Sequence, residues 1–356
     1  MISYTLSHPL ALSLYRAIRH DIESGLLGPH TRLPSKRQYA MDLHLSLSTV
    51  EQALSLLEQE GYIEPKERRG YFVLEGNQKN AENDSFVLTP LPPDPLRPDP
   101  DFPVSLWFKT MRFVMSKYQD YLVQTCPAPG SSRLRNVIAS YLHTSRQMQV
   151  QPEQIVIASG TQELYFLLCR MFRQSFDVAI ESPCYPVLEQ VYTAAAARIS
   201  RLPLDHQGIE LKSLHSCSSQ FLHVSPFSSF PSAIKASASR RRAYLSWIEK
   251  REGYLIEDDF NSEFFQNGPM LQTLFAMDSH EKVIYLNTFS KSLSSSLRLA
   301  YMVLPRSLLD LYHQTAGSLA CTVTMLEQYT LAEFIENGSF ERLIVRRRRH
   351  QAQNRK

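Results

Sequence analysis

One lysine in this chain is placed to do covalent chemistry. Lys291 lies among serines between two apolar runs, Val283 to Leu286 and Leu299 to Leu304, which read as buried strands of an α/β sheet. It therefore falls on the turn at a strand end, where such sheets carry their sites. A lysine held there can be desolvated, lose its proton and form a Schiff base with an aldehyde. An isolated Ser-Lys-Ser is more often a solvated loop. Arg298, seven residues on, shifts that balance because its planar cation suits a phosphate.

The stretch from Tyr285 to Pro305 resembles the pyridoxal-phosphate lysine motif of fold-type I aminotransferases, in the version found in MocR-type regulators of the GntR superfamily. The resemblance extends over nearly the whole chain. It implies that Lys291 holds pyridoxal 5'-phosphate as a Schiff base while Thr288 and Arg298 grip the phosphate. It also assigns roles to three further stretches. A strand at Gln154 to Ala158 runs into Ser159-Gly160-Thr161 at the start of an apolar helix, where free backbone N–H groups face a phosphate or serve as a plain helix cap. The resemblance implies that Ser159, Gly160 and Thr161 grip the phosphate. After the strand Val178 to Ile180, Tyr185 matches the aromatic laid against the pyridine ring. The strand Tyr254 to Phe260 ends in two acids, of which Asp258 matches the partner of the ring nitrogen, making the ring an electron sink. Phe260 replaces the family tyrosine, and Ser228-Ser229 and Ser232-Ala233 replace polar residues of the 225 to 233 loop. No acid or histidine cluster supports a metal.

The elements that position these residues make up the rest of the chain. At 356 residues and 43% hydrophobic, the chain can bury a sizeable core and hold two or three domains. No apolar run reaches membrane-spanning length, and Met1 to Leu14 lacks the basic start of a signal peptide. Five cysteines, Cys126, Cys169, Cys184, Cys217 and Cys321, are odd in number and widely spread, as reduced cytoplasmic thiols are.

Residues 1–75 read as a winged helix-turn-helix. Helical spacing covers Pro9 to Glu23, a second helix starts at Ser35, and a third starts near Ser46 or Ser48 and stops at Gly61. Tyr62-Ile63 and Tyr71 to Leu74 flank a basic turn as a hairpin wing would. Such an arrangement suits double-stranded DNA, with the third helix in the major groove. A helical protein-interaction module is the alternative, since eight basic groups here face nine acids. The basic groups must then share one face, which Lys36, Arg37, Lys66, Arg68 and Arg69 are expected to do. The order Leu33-Pro34-Ser35-Lys36-Arg37, Ser46 to Val50, Gly61-Tyr62-Ile63 and Gly70-Tyr71-Phe72-Val73 resembles the GntR winged helix, which implies that Arg37, Ser46, Ser48 and Thr49 contact DNA. Leu47 and His44 stand where that family has an arginine and a glycine.

Residues 76–103, rich in proline, read as a semi-rigid spacer. Residues 104–356 alternate helices with short apolar strands. The expected fold is an N-terminal winged helix-turn-helix joined to the α/β large domain of a fold-type I aminotransferase. The resemblance implies a further small domain, carrying the arginine for a substrate carboxylate, that this chain lacks. The run Arg346 to Arg349 reads as a solvated helix face, a DNA-backbone contact or the scar of a truncated product, with the first preferred as structure. The expected function is sequence-specific transcriptional regulation by a cytoplasmic homodimer with pyridoxal phosphate and an amino-acid or amine effector. An aminotransferase with an accessory DNA-binding module and a cofactor-free dimerisation domain are the rivals.

Overall fold

Serine caps and apolar stripes set the first helices. In the computed structural model, residues 4, 6–66, 69–75, 101–173, 176–261, 263 and 271–353 are described, the last three by backbone alone. They fall into two units, one within Met1–Pro95 and one within Leu96–Lys356. Residues 76–100 of the spacer predicted at 76–103, and Arg68, lie outside the described residues.

The first unit has three helices, α1 (Leu10–Glu23), α2 (Lys36–Leu43) and α3 (Leu47–Gln59), then β1 (Ile63–Lys66) and β2 (Gly70–Val73). The helical stripe Leu14, Ile18 and Ile22 of α1 is buried against Val50, Leu54 and Leu57 of α3. Ser35 caps α2 by accepting from Gln38 N at 3.2 Å. At the start of α3, Ser46 and not Ser48 is the cap, accepting from Thr49 N at 3.1 Å. Between them, His44 takes the left-handed conformation at φ 54°. That is the position where a glycine costs least, and a β-carbon there costs about 1 kcal/mol or more. The strands pair antiparallel, Ile63 opposite Val73 and Lys66 opposite Gly70, so the predicted hairpin is present.

The second unit opens with α4 (Val104–Lys117), α5 (Gln119–Leu122) and α6 (Ser132–Arg146). It continues with β3 (Ile155–Ala158), α7 (Thr161–Phe172), β4 (Asp177–Ser182), α8 (Pro186–Ala194), β5 (Arg198–Asp205), β6 (Gly208–Ile209), α9 (Leu211–Ser216) and β7 (Phe221–Val224). Then come α10 (Ala238–Glu249), β8 (Leu255–Asp259), α11 (Leu274–Met277), β9 (Val283–Thr288), α12 (Phe289–Ser292), β10 (Ala300–Val303), α13 (Leu309–Ala316), α14 (Met325–Glu336) and α15 (Ser339–Gln353). The strands form one sheet in the order β3-β10-β9-β8-β7-β4-β5-β6. Strands β9, β8, β7, β4 and β5 run parallel, whereas β10 is antiparallel to both β3 and β9. As a result β3, β9, β8, β7 and β4 all end at one edge, and β10 begins there.

Strands β3, β7, β9 and β10 are buried on both faces, which is why the sequence shows unbroken apolar runs there. Alternation along β9 sends Ile284 and Leu286 into the layer of α7, α8 and α13, and Tyr285 into the layer of α4, α6, α14 and α15. The same alternation splits the acids of β8. Asp258 faces α7, where Tyr165 donates to it, and Asp259 faces α6, where Arg146 pairs with it.

Glu257 of β8 accepts the N–H groups of Leu274 and Phe275 at 2.8 and 2.9 Å, yet burial pushes its carboxyl from the ordinary 4.5 up to about 8. The folded chain then holds a proton that the unfolded chain has released between those values. Stability should therefore fall as pH rises through that window, by at most about 1.4 kcal/mol per pH unit from this group. Urea midpoints measured across the window should decline in the parent and decline less in Glu257→Gln. An identical slope in both proteins would show that Glu257 is not the group responsible.

Candidate cofactor site and nucleic-acid interface

Where the strands end, the second unit encloses a cavity of about 320 Å³. Its lining includes Thr161, Tyr165, Glu181, Tyr185, His223, Phe230, Asp258, Phe260, Thr288, Ser290, Lys291 and Arg298. Lys291 sits on α12, the single helical turn that follows β9, with Nζ 4.4 Å from the centre of the Phe260 ring. Partial burial lowers its pKa from the ordinary lysine value, which favours the neutral, nucleophilic amine.

One end of the cavity is built for an anion. Gly160, at φ 88°, precedes the first residue of α7, and the Arg298 guanidinium lies so close that a β-carbon on Gly160 would stand 2.8 Å from Nη2. The helix start supplies N–H donors and positive potential, and Arg298 adds a full charge. Arg298 also reaches Gln162 Oε1 at 3.4 Å. Thr288 lines the cavity, but its hydroxyl caps α12 by accepting from Ser290 N at 3.1 Å.

The other end presents an acceptor. Asp258 is 6% exposed; its Oδ2 receives the Tyr165 hydroxyl at 2.5 Å, and His223 Nε2 stands 3.5 Å away. Asp258 Oδ1 is buried with no hydrogen-bond partner among the described residues. A buried acceptor left without a donor costs about 1–3 kcal/mol, so its position calls for a donor from an occupant. His223 is fixed from behind by Tyr192, whose hydroxyl lies 2.7 Å from Nδ1. Beside them Glu181 accepts from Ser229 at 2.7 Å, and burial raises its carboxyl to about 7. The residues present thus fit a flat ring with a basic nitrogen at one end, a phosphate at the other and an aldehyde within reach of Lys291.

In the first unit, the hydroxyls of Ser46, Ser48 and Thr49 gather at the start of α3, with Ser46 Oγ 2.9 Å from Ser48 and 2.7 Å from Thr49. Ser46, Ser48, Arg37 and Arg69 are exposed. Lys36 and Lys66 each meet a carboxylate: Glu51 at 3.1 Å and Glu64 at 2.9 Å. Such exposed pairs are worth at most about 1 kcal/mol, so a phosphate can displace either carboxylate.

Residues 117–356 match the family described as aminotransferase class I and II, and residues 10–73 match the bacterial regulatory proteins of the gntR family. The uncharacterized HTH-type transcriptional regulator YdeL of Bacillus subtilis is 32% identical over 98% of this chain and 78% of its own length. The chain belongs to the gntR-type regulators that carry a class I and II aminotransferase domain. The probable rhizopine catabolism regulatory protein MocR of Rhizobium meliloti is 29% identical over 98% of the chain and 76% of that protein. Among solved structures, the α-aminoadipate aminotransferase LysN of Thermus thermophilus, complexed with N-(5'-phosphopyridoxyl)-L-leucine, is 26% identical with a TM-score of 0.64. It matches 71% of this chain, which in turn spans 65% of that enzyme, slightly under two thirds. Pyridoxal phosphate is the cofactor of the aminotransferase family.

Of the cofactor residues expected in this regulator family, the cavity brings together Thr161, Tyr185, Asp258, Thr288, Lys291 and Arg298. Gly160 abuts Arg298 just outside the lining, while the Ser159 N–H donates to Glu163 Oε2 at 3.3 Å. Arg346 and Arg349 are exposed, as the solvated reading has them, but Arg347 is not. Arg347 is 8% exposed and donates to the carbonyl oxygens of Lys291 and Leu293 at 2.6 and 2.9 Å. It follows the buried Phe340, Leu343 and Ile344 at helical spacing, so it extends the packed stripe of α15 onto the lysine turn. Arg348 donates to the Glu263 carbonyl and Arg346 to that of Asp101.

Sequence reasoning missed Tyr165, His223 and Ser290. The available signal was a single histidine inside the apolar run Phe221 to Val224, and a tyrosine on the apolar helix that starts at the phosphate turn.

Proposed function

We propose that this chain is a sequence-specific DNA-binding transcriptional regulator whose second unit holds pyridoxal phosphate on Lys291 as a ligand that reports an amino acid or amine. The observation that carries the reading is the meeting in one cavity of a partly buried lysine of lowered pKa, an unpartnered buried carboxylate oxygen and an arginine at a helix start. When bound, the cofactor supplies an aldehyde to an amine and a ring that withdraws electrons. Lys291 offers its neutral amine, Arg298 and the α7 start hold the phosphate, Asp258 accepts from the ring nitrogen, and Tyr185 covers one ring face. The regulator would act on DNA in the cytoplasm, and homodimers would match paired half-sites.

DNA is to be met by Arg37, Ser46, Ser48, Thr49 and the wing residues Lys66, Arg68 and Arg69, with Lys36 exchanging Glu51 for a phosphate. Footprinting with full-length protein on the DNA upstream of its own gene tests this. Affinity should fall steeply with salt as counterions are released. Arg37→Ala should weaken binding by about 1–3 kcal/mol if it reads a base, and by less if it holds only a phosphate. Absence of binding to any DNA at low salt would end the regulator reading.

Among the lining residues Arg298 is the one guanidinium, and it serves the phosphate end. An amino acid in this cavity lacks a second cation to orient its carboxylate, and orientation supplies much of the rate in such chemistry. Spectral change with amino acids but no sustained keto-acid release is therefore expected. Steady release that vanishes in Lys291→Ala would show an enzyme instead.

A further inference from the structure

Two of the five cysteines meet in the second unit although 195 residues separate them along the chain. Cys126, just before the turn at Pro127 to Gly130, and Cys321, just before α14, are both half-buried. The amide nitrogen of Gln328, a residue with 0% exposure, stands 2.9 Å from Cys126 Sγ and 3.5 Å from Cys321 Sγ. The same side chain is anchored at both ends, donating to Val323 O at 2.9 Å and accepting from Ser131 N at 2.7 Å. The shared Gln328 nitrogen thereby brings the two thiols into one contact. Together with Gln328 and the charge of Arg135, and against burial, that contact lowers Cys126 to about 7 and raises Cys321. The remaining cysteines are set apart from this pair: Cys169 and Cys217 are buried, and Cys184 is pushed up to about 11 by burial and by Glu189.

We propose that Cys126 and Cys321 form a reversible dithiol/disulfide site oxidised by hydroperoxides, with Cys126 as the attacking thiol and Cys321 as the resolving one. The Cys126 thiolate attacks the terminal peroxide oxygen, the O–O bond breaks, and an alcohol or water leaves as a sulfenic acid forms. The Cys321 thiol then attacks that sulfur. The S–S bond forms, the S–O bond breaks, and the second water carries away the proton. Two thiols have given two electrons to one peroxide, and a dithiol reductant reverses the change.

The position gives the bond a consequence. The turn after Cys126 accepts Ile157 N through Pro129 O at 3.1 Å, and Cys321 donates to Ile157 O at 3.4 Å. A disulfide would keep the Pro129 contact and remove the Cys321 one, because a disulfide sulfur has no hydrogen to donate, and so would release Ile157 O of β3, three residues before Gly160. It involves neither Lys291 nor DNA, so it stands apart from the function proposed above.

Peptide mapping of full-length protein titrated with hydrogen peroxide near neutral pH, under non-reducing conditions, tests the site. The expected result is loss of two hydrogens per chain and one Cys126–Cys321 cross-linked peptide, both reversed by dithiothreitol. Cys321→Ser should stop the reaction at a Cys126 sulfenic acid trapped by dimedone, and Cys126→Ser should leave Cys321 unmodified. Oxidation of Cys184 ahead of Cys126, sulfinic acid at Cys126 without the cross-link, or a cross-link between chains would each overturn the proposal. The parent protein alone decides among these outcomes, so the test survives a variant that fails to fold.

Discussion

Lys291→Ala is expected to abolish the visible absorbance band that the full-length protein should acquire with pyridoxal phosphate. Covalent attachment needs one neutral amine, and Lys291 is the lysine among the cavity-lining residues. Burial lowers its pKa, so a larger share of it is neutral than of an ordinary lysine. In Lys291→Ala the phosphate contacts of Arg298 and the α7 start remain, so residual non-covalent binding without the band is expected, weaker by several kcal/mol in apparent affinity. Borohydride treatment of the loaded parent should place the cofactor mass on the peptide containing Lys291. A parent protein with an unchanged spectrum would favour a cofactor-free dimerisation domain, and a persisting band in the variant would place attachment on another lysine. Melting of the two proteins without cofactor should differ little, because Lys291 keeps an exposed surface.

Arg146→Ala should be the most damaging single change to the second unit. Arg146 Nη2 lies 3.0 Å from Asp259 Oδ2, with almost no side-chain exposure on either residue. The Tyr285 hydroxyl donates to the same oxygen at 2.8 Å, and Asn287 Nδ2 in turn lies 2.8 Å from that hydroxyl and 3.2 Å from Glu263 Oε1. Removing the cation strands the buried Asp259 carboxylate without its Arg146 partner, which costs about 3–5 kcal/mol. For a unit of this size that is a drop in melting temperature on the order of 10 °C. Asp259→Asn added to Arg146→Ala should recover part of the loss, because the stranded charge is then gone. A change below about 1 kcal/mol in the single variant would mean that water reaches Asp259.

Much of this arrangement was legible in the sequence because it rests on local rules. Apolar runs bounded by turn residues located the strands around Lys291, and serine caps located α2 and α3. The role of Asp258 over Asp259 came from resemblance; strand alternation supplies the physical reason, since neighbouring residues on β8 face opposite layers. The rest depends on contacts between distant segments. The balance of eight bases and nine acids does not show that Lys36 meets Glu51 across the fold or that Lys66 meets Glu64 along the hairpin. Arg347 was read by its charged neighbours, although its spacing from Phe340 and Ile344 placed it on the buried stripe. His223 and Tyr165 looked like core because they are buried, and only the open oxygen of Asp258 shows that they also line a site.

The antiparallel strand β10 has one more effect. It separates β3 from β9, so Gly160, two residues past the end of β3, and Asp258 of β8 are set by strands three steps apart in the order β3-β10-β9-β8. Three inter-strand spacings amount to about 14 Å of backbone, fixed by hydrogen bonding. The sheet therefore acts as a ruler between the anion end and the acceptor end of the cavity. Substitutions of lining side chains can change which groups an occupant must carry, but the distance between those groups is held by main-chain pairing, and only a shift of strand register would alter it.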